Sequence, residues 1–252
     1  DSDDVVTSYT YTNKNLIDIE TDPNGRVTDC DYNPQDQLVK ITVAKGTVDE
    51  AVQQFEYDVA GNQKAVIDEN NIRTEYEYDA MNLLKKTTFA KGTPDEATQQ
   101  FEYDGGGNQT AVIDEKGNRT ESEYNIMNQL VKVTAADPDG SGPLSSPVTS
   151  YEYDKNGNQV LMVDPLGRRT EYRYDSRNRL VETVNPDGTV EKMRYDADNN
   201  LTGNIDANGN RTNKVYDARG RLIREVDASE KVTRFEYDAA NQMVAQVDAN
   251  DH

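Results

Sequence analysis

Short segments of this chain alternate between charged residues and residues that are aromatic or carry a hydroxyl group. The clearest are Thr74–Tyr78, Thr170–Tyr174 and Thr233–Tyr237, which read Thr-Glu-Tyr-Glu-Tyr, Thr-Glu-Tyr-Arg-Tyr and Thr-Arg-Phe-Glu-Tyr. Because successive side chains of a β-strand point to opposite faces, this pattern places threonines and rings on one face and charges on the other. We therefore predict two-faced strands of about six residues.

Aliphatic and β-branched segments follow these strands, for example Leu38–Val43, Leu130–Val133 and Leu222–Val226. Such residues favour strands as well. Short turn sequences separate the segments: Asp22-Pro-Asn-Gly, Asp114-Glu-Lys-Gly, Asp164-Pro-Leu-Gly, Pro186-Asp-Gly and Asp206-Ala-Asn-Gly. Turns this short join antiparallel neighbours, because parallel strands need a long crossover. The predicted fold class is all-β, built from antiparallel β-hairpin repeats.

Tyrosine recurs along the chain at a nearly constant interval. Eleven tyrosines are separated by 21, 25 or 29 residues, and eight of them are followed by aspartate. They are Tyr11, Tyr32, Tyr57, Tyr78, Tyr103, Tyr124, Tyr153, Tyr174, Tyr195, Tyr216 and Tyr237. We interpret residues 1–252 as a single array of about eleven 21-residue units, with insertions near residues 45–54, 91–100 and 135–150. A single unit cannot bury its aromatic face alone, so we expect the rings of neighbouring units to stack in a ladder.

The fourth residue after each of these tyrosines is always asparagine, glycine or aspartate. These residues are Asn15, Asp36, Gly61, Asn82, Gly107, Asn128, Gly157, Asn178, Asn199, Gly220 and Asn241. They belong to the residue types that most readily adopt a left-handed backbone. We predict a turn with positive φ at each position, and we assign the tyrosines and these turn residues a structural role.

The insertions interrupt the array in two ways. Residues 45–54 and 91–100 are near copies, and each contains a threonine followed three residues later by glutamate, as in Thr47 and Glu50. This spacing is that of a capping box, and Pro94 stands at a favoured first helical position, so we predict one or two helical turns in each. The third insertion is rich in proline, glycine and serine, which predicts an open loop.

Asp137 and Asp139 in the third insertion are the candidate metal ligands of the chain. They offer two closely spaced carboxylates before a glycine turn, as calcium loops do. The segment lacks a third acidic ligand and the distant bidentate glutamate of such loops. A plain Pro/Gly turn is therefore the preferred interpretation, and we expect no cofactor other than this calcium candidate.

Composition and charge exclude several classes of function. Only 34% of the residues are hydrophobic, mean hydropathy is −0.93, and the net charge is −20. So little apolar material cannot fill one thick core, which favours a thin, two-faced sheet. An acidic surface repels phosphate backbones and anionic membranes, so we expect neither nucleic-acid binding nor membrane insertion. Cys30 is the only cysteine, which excludes an intrachain disulfide.

Catalytic chemistry finds no support in the sequence. His252 is the only histidine and lies at the terminus, so a Ser-His-Asp or Cys-His arrangement has no base in the body of the chain. Paired carboxylates such as Glu75 and Glu77 recur on the charged face of the strands, which is typical of a solvated surface. We assign no catalytic residue. The tyrosines could alternatively form a stacking platform for sugars or bases, but their presence in every unit favours a structural role.

The repeat resembles a known family. Asp164–Asp175 reads Asp-x-x-Gly-x-x-Thr-x-Tyr-x-Tyr-Asp, and Tyr-Asp-x-x-Gly-Asn and Tyr-Asp-x-x-Asn-Arg-Leu recur elsewhere. These motifs resemble the YD repeats of bacterial Rhs proteins, the B/C component of Tc toxins, wall-associated proteins and teneurins. The resemblance implies a continuous spiral or solenoid-like sheet, which in Rhs proteins and Tc toxins closes around a toxic polypeptide. Nothing after Met243 matches the self-cleaving segment of those shells.

Three functions follow from these observations. The first is a structural segment of a secreted or cell-surface protein, which forms a stiff β-array and assembles as a fibre or scaffold through self-association or neighbouring repeats. The second is part of a hollow shell that encloses a toxin polypeptide. The third is an adhesin that binds carbohydrate or a protein partner. The expected location is extracellular or on the cell surface.

Overall fold

The computed structural model describes residues 6–140, 142 and 144–248. This part of the chain contains β-strands and turns but no helix, and hence no helix able to cross a membrane. The strands are β1 Ser8–Tyr11, β2 Ile17–Thr21, β3 Val27–Tyr32, β4 Leu38–Val43, β5 Ala51–Tyr57, β6 Gln63–Ile67, β7 Arg73–Tyr78, β8 Leu84–Phe89, β9 Ala97–Tyr103, β10 Gln109–Ile113, β11 Arg119–Tyr124, β12 Leu130–Thr134, β13 Val148–Tyr153, β14 Gln159–Val163, β15 Arg169–Tyr174, β16 Leu180–Val184, β17 Val190–Tyr195, β18 Leu201–Ile205, β19 Arg211–Tyr216, β20 Leu222–Val226, β21 Val232–Tyr237 and β22 Met243–Val247.

The chain divides into two compact units, residues 1–121 and 122–252, and the boundary falls within β11. In the first unit every strand from β1 to β10 pairs antiparallel with the strand that follows it. In the second unit the same holds from β12 to β21. The predicted all-β fold of antiparallel hairpins is confirmed.

Strand pairs that meet at a tyrosine turn contain a β-bulge. In the β5–β6 pair, Glu56 lies opposite Ala65 and Tyr57 lies opposite Gln63, so Lys64 is the extra residue. The same shift recurs at the same place in the other nine tyrosine-turn pairings described. A bulge bends its strand and interrupts the ladder, so the first residue of each return strand leaves the regular pairing.

The left-handed turn conformation is present wherever the repeat predicts it. All eleven residues four places after the repeat tyrosines have positive φ, between 59° at Asn128 and 91° at Gly61. The second turn of each repeat also contains a residue with positive φ, such as Gly25 or Gly209. At this second turn Asn71 and Glu230 take the place of glycine, with φ of 60° and 61°.

The strands that end in a repeat tyrosine have two different sides. We call the side that carries the repeat tyrosines the tyrosine face and the opposite side the charged face. Tyr76 pairs with Thr87 on the tyrosine face, whereas Glu77 pairs with Lys86 on the charged face. Among the described residues no large side chain is fully buried, and Leu161 is the largest buried hydrophobic residue. Stability therefore depends on local hydrogen bonds and small contacts rather than on a thick core.

The predicted helical turns in the first two insertions are wrong. The pairing of β4 with β5 extends to Val43 and Ala51, so only residues 44–50 remain for the connection. Within it, Gly46 N–H donates to the Glu50 carboxylate at 2.7 Å, and the Thr47 hydroxyl donates to the Ala44 carbonyl at 2.8 Å. The copy at residues 90–96 repeats these bonds. Ladder hydrogen bonds outcompete a helix here, because so short a helix would have nothing to pack against.

Replacing Glu230 with glycine is expected to stabilise the protein. A side chain with Cβ pays a steric penalty in the left-handed region, so Glu230→Gly should raise the free energy of unfolding by about 0.5–1 kcal/mol. The control Ser229→Gly alters the neighbouring turn residue, whose φ is not positive, and should lower stability. Urea denaturation followed by circular dichroism measures both. A lower stability for Glu230→Gly would contradict the argument.

Candidate functional site

A hydrogen bond from the repeat tyrosine ties two neighbouring strands together in eight of the repeats. The Tyr78 hydroxyl in β7 donates to the carbonyl oxygen of Gln63, the first residue of β6, at 2.9 Å. The β6–β7 ladder itself ends at the Ala65–Glu75 pair. The tyrosine thus closes the hairpin at the end opposite its turn, and it satisfies a carbonyl next to the bulge. We call this contact the tyrosine clamp.

The tyrosine clamp recurs with constant geometry. Donor–acceptor distances lie between 2.7 and 3.0 Å, and the acceptor is always the sixth residue after the preceding repeat tyrosine. The pairs are Tyr32 with Ile17, Tyr57 with Leu38, Tyr78 with Gln63, Tyr103 with Leu84, Tyr153 with Leu130, Tyr174 with Gln159, Tyr216 with Leu201 and Tyr237 with Leu222.

Tyr195 departs from this rule. Its hydroxyl lies 3.8 Å from the Met193 sulfur and makes no clamp to the carbonyl of Leu180. The Arg179 guanidinium lies over its ring at 4.7 Å from the centroid, so a cation–π contact holds this ring in addition. Arg221 lies over Tyr237 in the same way, at 4.8 Å, but that tyrosine keeps its clamp.

The predicted ladder of stacked rings is wrong. The ring pair Tyr9 with Tyr11, at 6.5 Å, lies within one strand and not between repeats. Repeat tyrosines lie two strands apart, and with about 4.8 Å between adjacent strands their rings are separated by close to 10 Å. In the eight clamped repeats the hydroxyl group contacts the backbone of the strand in between, so these tyrosines join strands by a hydrogen bond and not by ring stacking.

The aspartate after the tyrosine organises the turn. Asp58 Oδ1 accepts the backbone N–H groups of Ala60 and Asn62, each at 2.9 Å, and its Oδ2 accepts the Asn62 side-chain amide at 3.0 Å. Gly61 N–H donates to the Asp58 carbonyl at 3.1 Å. One carboxylate thus satisfies three donors within a five-residue loop, as Asx turns do. Asp114 does the same in the second kind of turn.

These hydrogen bonds hold the pKa of the turn aspartates below the ordinary value. The largest cause is the side chain four residues later, which donates to the carboxylate, followed by backbone N–H donors that stabilise the same charge. The aspartates concerned are Asp58, Asp104, Asp114, Asp154, Asp175, Asp196 and Asp206.

In several repeats the residue five places after the tyrosine links one turn to the next, and the sequence interpretation missed this link. Asn62 Nδ2 donates to Asn82 Oδ1 at 2.9 Å, and Arg179 Nη1 donates to Asn199 Oδ1 at 3.1 Å. Where the next turn has glycine, as at Gly61, its backbone carbonyl accepts instead. The available signal was that this position holds an amide or arginine in nine of eleven repeats. The tyrosine turns contain the predicted residues Asn82, Gly107, Gly157, Asn178 and Gly220.

Acidic residues considered for other chemistry have local partners. Glu75 pairs with Arg73 and Glu77 with Lys86 on the charged face. Asp137 Oδ1 accepts Asp139 N–H at 3.1 Å, and Asp139 Oδ2 accepts Leu144 N–H at 3.2 Å. The described residues contain no cluster of three potential metal ligands, and calcium binding stays a prediction. His252 lies outside the described residues.

Comparisons with known proteins agree with this geometry. The RHS Repeat family model matches residues 12–48, 57–94, 153–190 and 216–252, which together make up more than half of the chain. No curated protein matches the chain. The crystal structure of TcdB2-TccC3-TEV superimposes with a TM-score of 0.72 at 14% identity, over 98% of this chain and 15% of that one. TcdB2-TccC3 without its hypervariable C-terminal region gives 0.58 at 19%, over 94% and 14%.

Removing a clamp hydroxyl should cost one hydrogen bond. Tyr216→Phe is expected to lower the free energy of unfolding by about 0.5–1.5 kcal/mol, because the Leu201 carbonyl loses its donor. Tyr195→Phe is the matched control and should change stability much less, since that hydroxyl contacts only a thioether. Chemical denaturation of the two variants and the parent measures the difference. Equal losses in both variants would argue against the clamp.

Acidification should destabilise the turns. The folded-state pKa of the turn aspartates lies below the unfolded value, so their contribution is fully present above the ordinary carboxyl range. It is lost as pH falls through the lowered pKa. We expect the melting temperature to fall steadily below about pH 4, where free aspartate titrates. Asp104→Asn keeps an acceptor oxygen without the charge and should weaken this dependence. A melting temperature unchanged down to pH 2 would contradict the assignment.

Proposed function

Because the chain belongs to the RHS-repeat family, we propose that its function is structural: it forms a stretch of β-wall in a larger assembly that encloses a polypeptide. In this proposal the protein acts as a scaffold and not as an enzyme. The observation that carries it is the tyrosine clamp, which repeats in both compact units and joins neighbouring strands without a thick core.

The fold likeness supports the larger-assembly part of the proposal. This chain spans about 15% of the length of the TcdB2-TccC3-TEV chain that it resembles in fold. A short array of the same architecture is suited to being one stretch of a longer wall. A repeat architecture makes this extension possible, because each unit contacts only its nearest neighbours.

The two faces support the wall part of the proposal. A wall meets solvent on one side and contents on the other, so its faces need different chemistry. Here one face carries half-buried tyrosines and β-branched residues, and the opposite face carries glutamates and arginines in cross-strand ion pairs. We propose a secreted or cell-surface setting for this wall, with repeats of the same kind and an enclosed polypeptide as its partners.

Rigidity without a core is the third support. The aspartate turn, the tyrosine clamp and the turn-to-turn link satisfy backbone groups within a repeat and between neighbouring repeats. These bonds are local, so the array tolerates a low apolar content. Such a wall requires no catalytic group, and we propose that the chain carries out no reaction of its own.

Electron microscopy of the purified chain tests the proposal. A wall segment should give discrete particles of one size, with a single boundary in sedimentation velocity across a range of concentrations. Long uniform fibres would overturn the wall in favour of a filament. Binding to an immobilised glycan array that is lost in Tyr172→Ala, a variant on the tyrosine face, would instead identify an adhesin.

A further inference from the structure

The charged face contains a repeated arrangement of one arginine and two glutamates across three strands. Arg73 in β7 donates to both Glu56 oxygens, at 2.7 and 2.8 Å, and to Glu75 at 2.7 Å. Ala65 in β6 lies between the two glutamates in the register and is fully buried. The small side chain lets the guanidinium cross β6. We call this arrangement the arginine bridge.

The same bridge recurs in β9–β11. Arg119 donates to both Glu102 oxygens at 2.7 Å and to Glu121 at 2.8 Å, across the buried Ala111. In both copies, a guanidinium that crosses a buried alanine binds a carboxylate on each side. Guanidinium and carboxylate groups match in planar, two-point geometry.

In β17–β19 the bridging arginine is kept but its carboxylates are absent. Arg211 is equivalent to Arg73, whereas Arg194 and Asn213 stand in the two glutamate positions and Gly203 stands in the alanine position. Arg194 Nη2 and Arg211 Nε both donate to Asn213 Oδ1, at 3.1 and 3.3 Å. No carboxylate among the described residues pairs with either arginine.

Close neighbouring atoms explain why position 203 holds glycine. A Cβ added to Gly203 would lie 3.0 Å from Arg194 Nη2 and 3.1 Å from the Thr212 carbonyl oxygen. The backbone φ is not positive here, so the constraint is contact and not conformation. The absence of a side chain lets the Arg194 guanidinium lie beside β18 and approach Arg211 through their shared acceptor.

A groove of about 350 Å³ adjoins the two arginines. Its lining includes two further cations, Arg173 and Lys192, and a single acid, Glu182. Glu182 pairs with Arg173 and, at 3.7 Å, with Lys192, so it leaves Arg194 and Arg211 uncompensated. A local excess of positive charge stands out in a protein with a net charge of −20.

We propose that Arg194 and Arg211 bind a carboxylate supplied by an acidic segment of a partner polypeptide. The partner would provide what Glu56 and Glu75 provide within the chain at the first bridge. A carboxylate is favoured over a phosphate because carboxylates occupy both equivalent positions in this protein. The inference takes from the proposed function only that the partner is a polypeptide, and it holds for a wall or a filament alike.

Fluorescence anisotropy with a labelled six-glutamate peptide tests the site at low salt, where screening is weakest. The intact chain should bind this peptide and ignore a six-glutamine peptide. Arg194→Gln and Arg211→Gln should each weaken binding at least tenfold. Arg73→Gln is the matched control, because that arginine is already paired, and should leave binding unchanged. The negative charge of the whole protein disfavours nonspecific capture of an acidic peptide.

Three outcomes would overturn the proposal. One is equal binding by the parent and both arginine variants, with circular dichroism showing that all are folded. Another is equal binding of the glutamate and glutamine peptides. The last is retention of inorganic phosphate, measured by calorimetry, without any binding of the glutamate peptide. Because none of these readouts depends on particle shape, they are distinguishable from a failure of the wall in the microscope.

Discussion

The hydrogen bond from a repeat tyrosine to a carbonyl of the neighbouring strand, made in eight repeats, is the contact on which the other features depend. A bulge after each tyrosine turn bends the return strand away from the regular ladder and leaves its first carbonyl to be satisfied. The hydroxyl meets that need, as Tyr78 does for Gln63. Because the bulge fixes the carbonyl at the sixth residue after the preceding repeat tyrosine, the acceptor keeps its place in the repeat, although the donor tyrosine lies 15, 19 or 23 residues further along the chain.

Low apolar content follows from the same arrangement. When turns and clamps pair the backbone groups locally, the strands are held together without a large buried core. The largest buried hydrophobic residue among those described is Leu161. Polar residues can then occupy both faces. The cost is sensitivity to charge, since the turns are held by ionised aspartates such as Asp58. Surface ion pairs alone add little, but bridges with shared, two-point geometry hold adjacent strands in register.

Variation within the repeat separates structural from special positions. Arginine bridges over Ala65 and Ala111 use two internal glutamates, whereas the position over Gly203 has Arg194 in place of one of them. If this position were purely structural, the glutamates of the arginine bridge would be expected there as well. The change of charge occurs in the repeat of Tyr195, whose hydroxyl makes no clamp, although that ring lies on the opposite face of the strands. The second unit thus contains a region that local stability does not explain.

The sequence predicted the repeat, the strands and the left-handed turns, because these depend on residue type and local spacing. The residues four places after the tyrosines adopt positive φ wherever Asn, Asp or Gly occurs there. The prediction of helical turns near Thr47 was wrong, because strand pairing extends to Val43 and Ala51 and leaves too few residues for a helix. The prediction of ring stacking was also wrong, because the number of residues between two tyrosines does not give the distance between their rings across the strands.

The sequence by itself therefore determined the repeat unit, its hairpin and the left-handed residue of its turn, since each depends on residues within about twenty consecutive positions. Only the tertiary structure decided which groups meet across strands. The partner of a tyrosine hydroxyl, the link from Asn62 to Asn82 and the meeting of Arg194 with Arg211 all depend on register. Register is set by the bulge, which shifts pairing by one residue, and a shift of one residue exchanges the faces on which side chains meet.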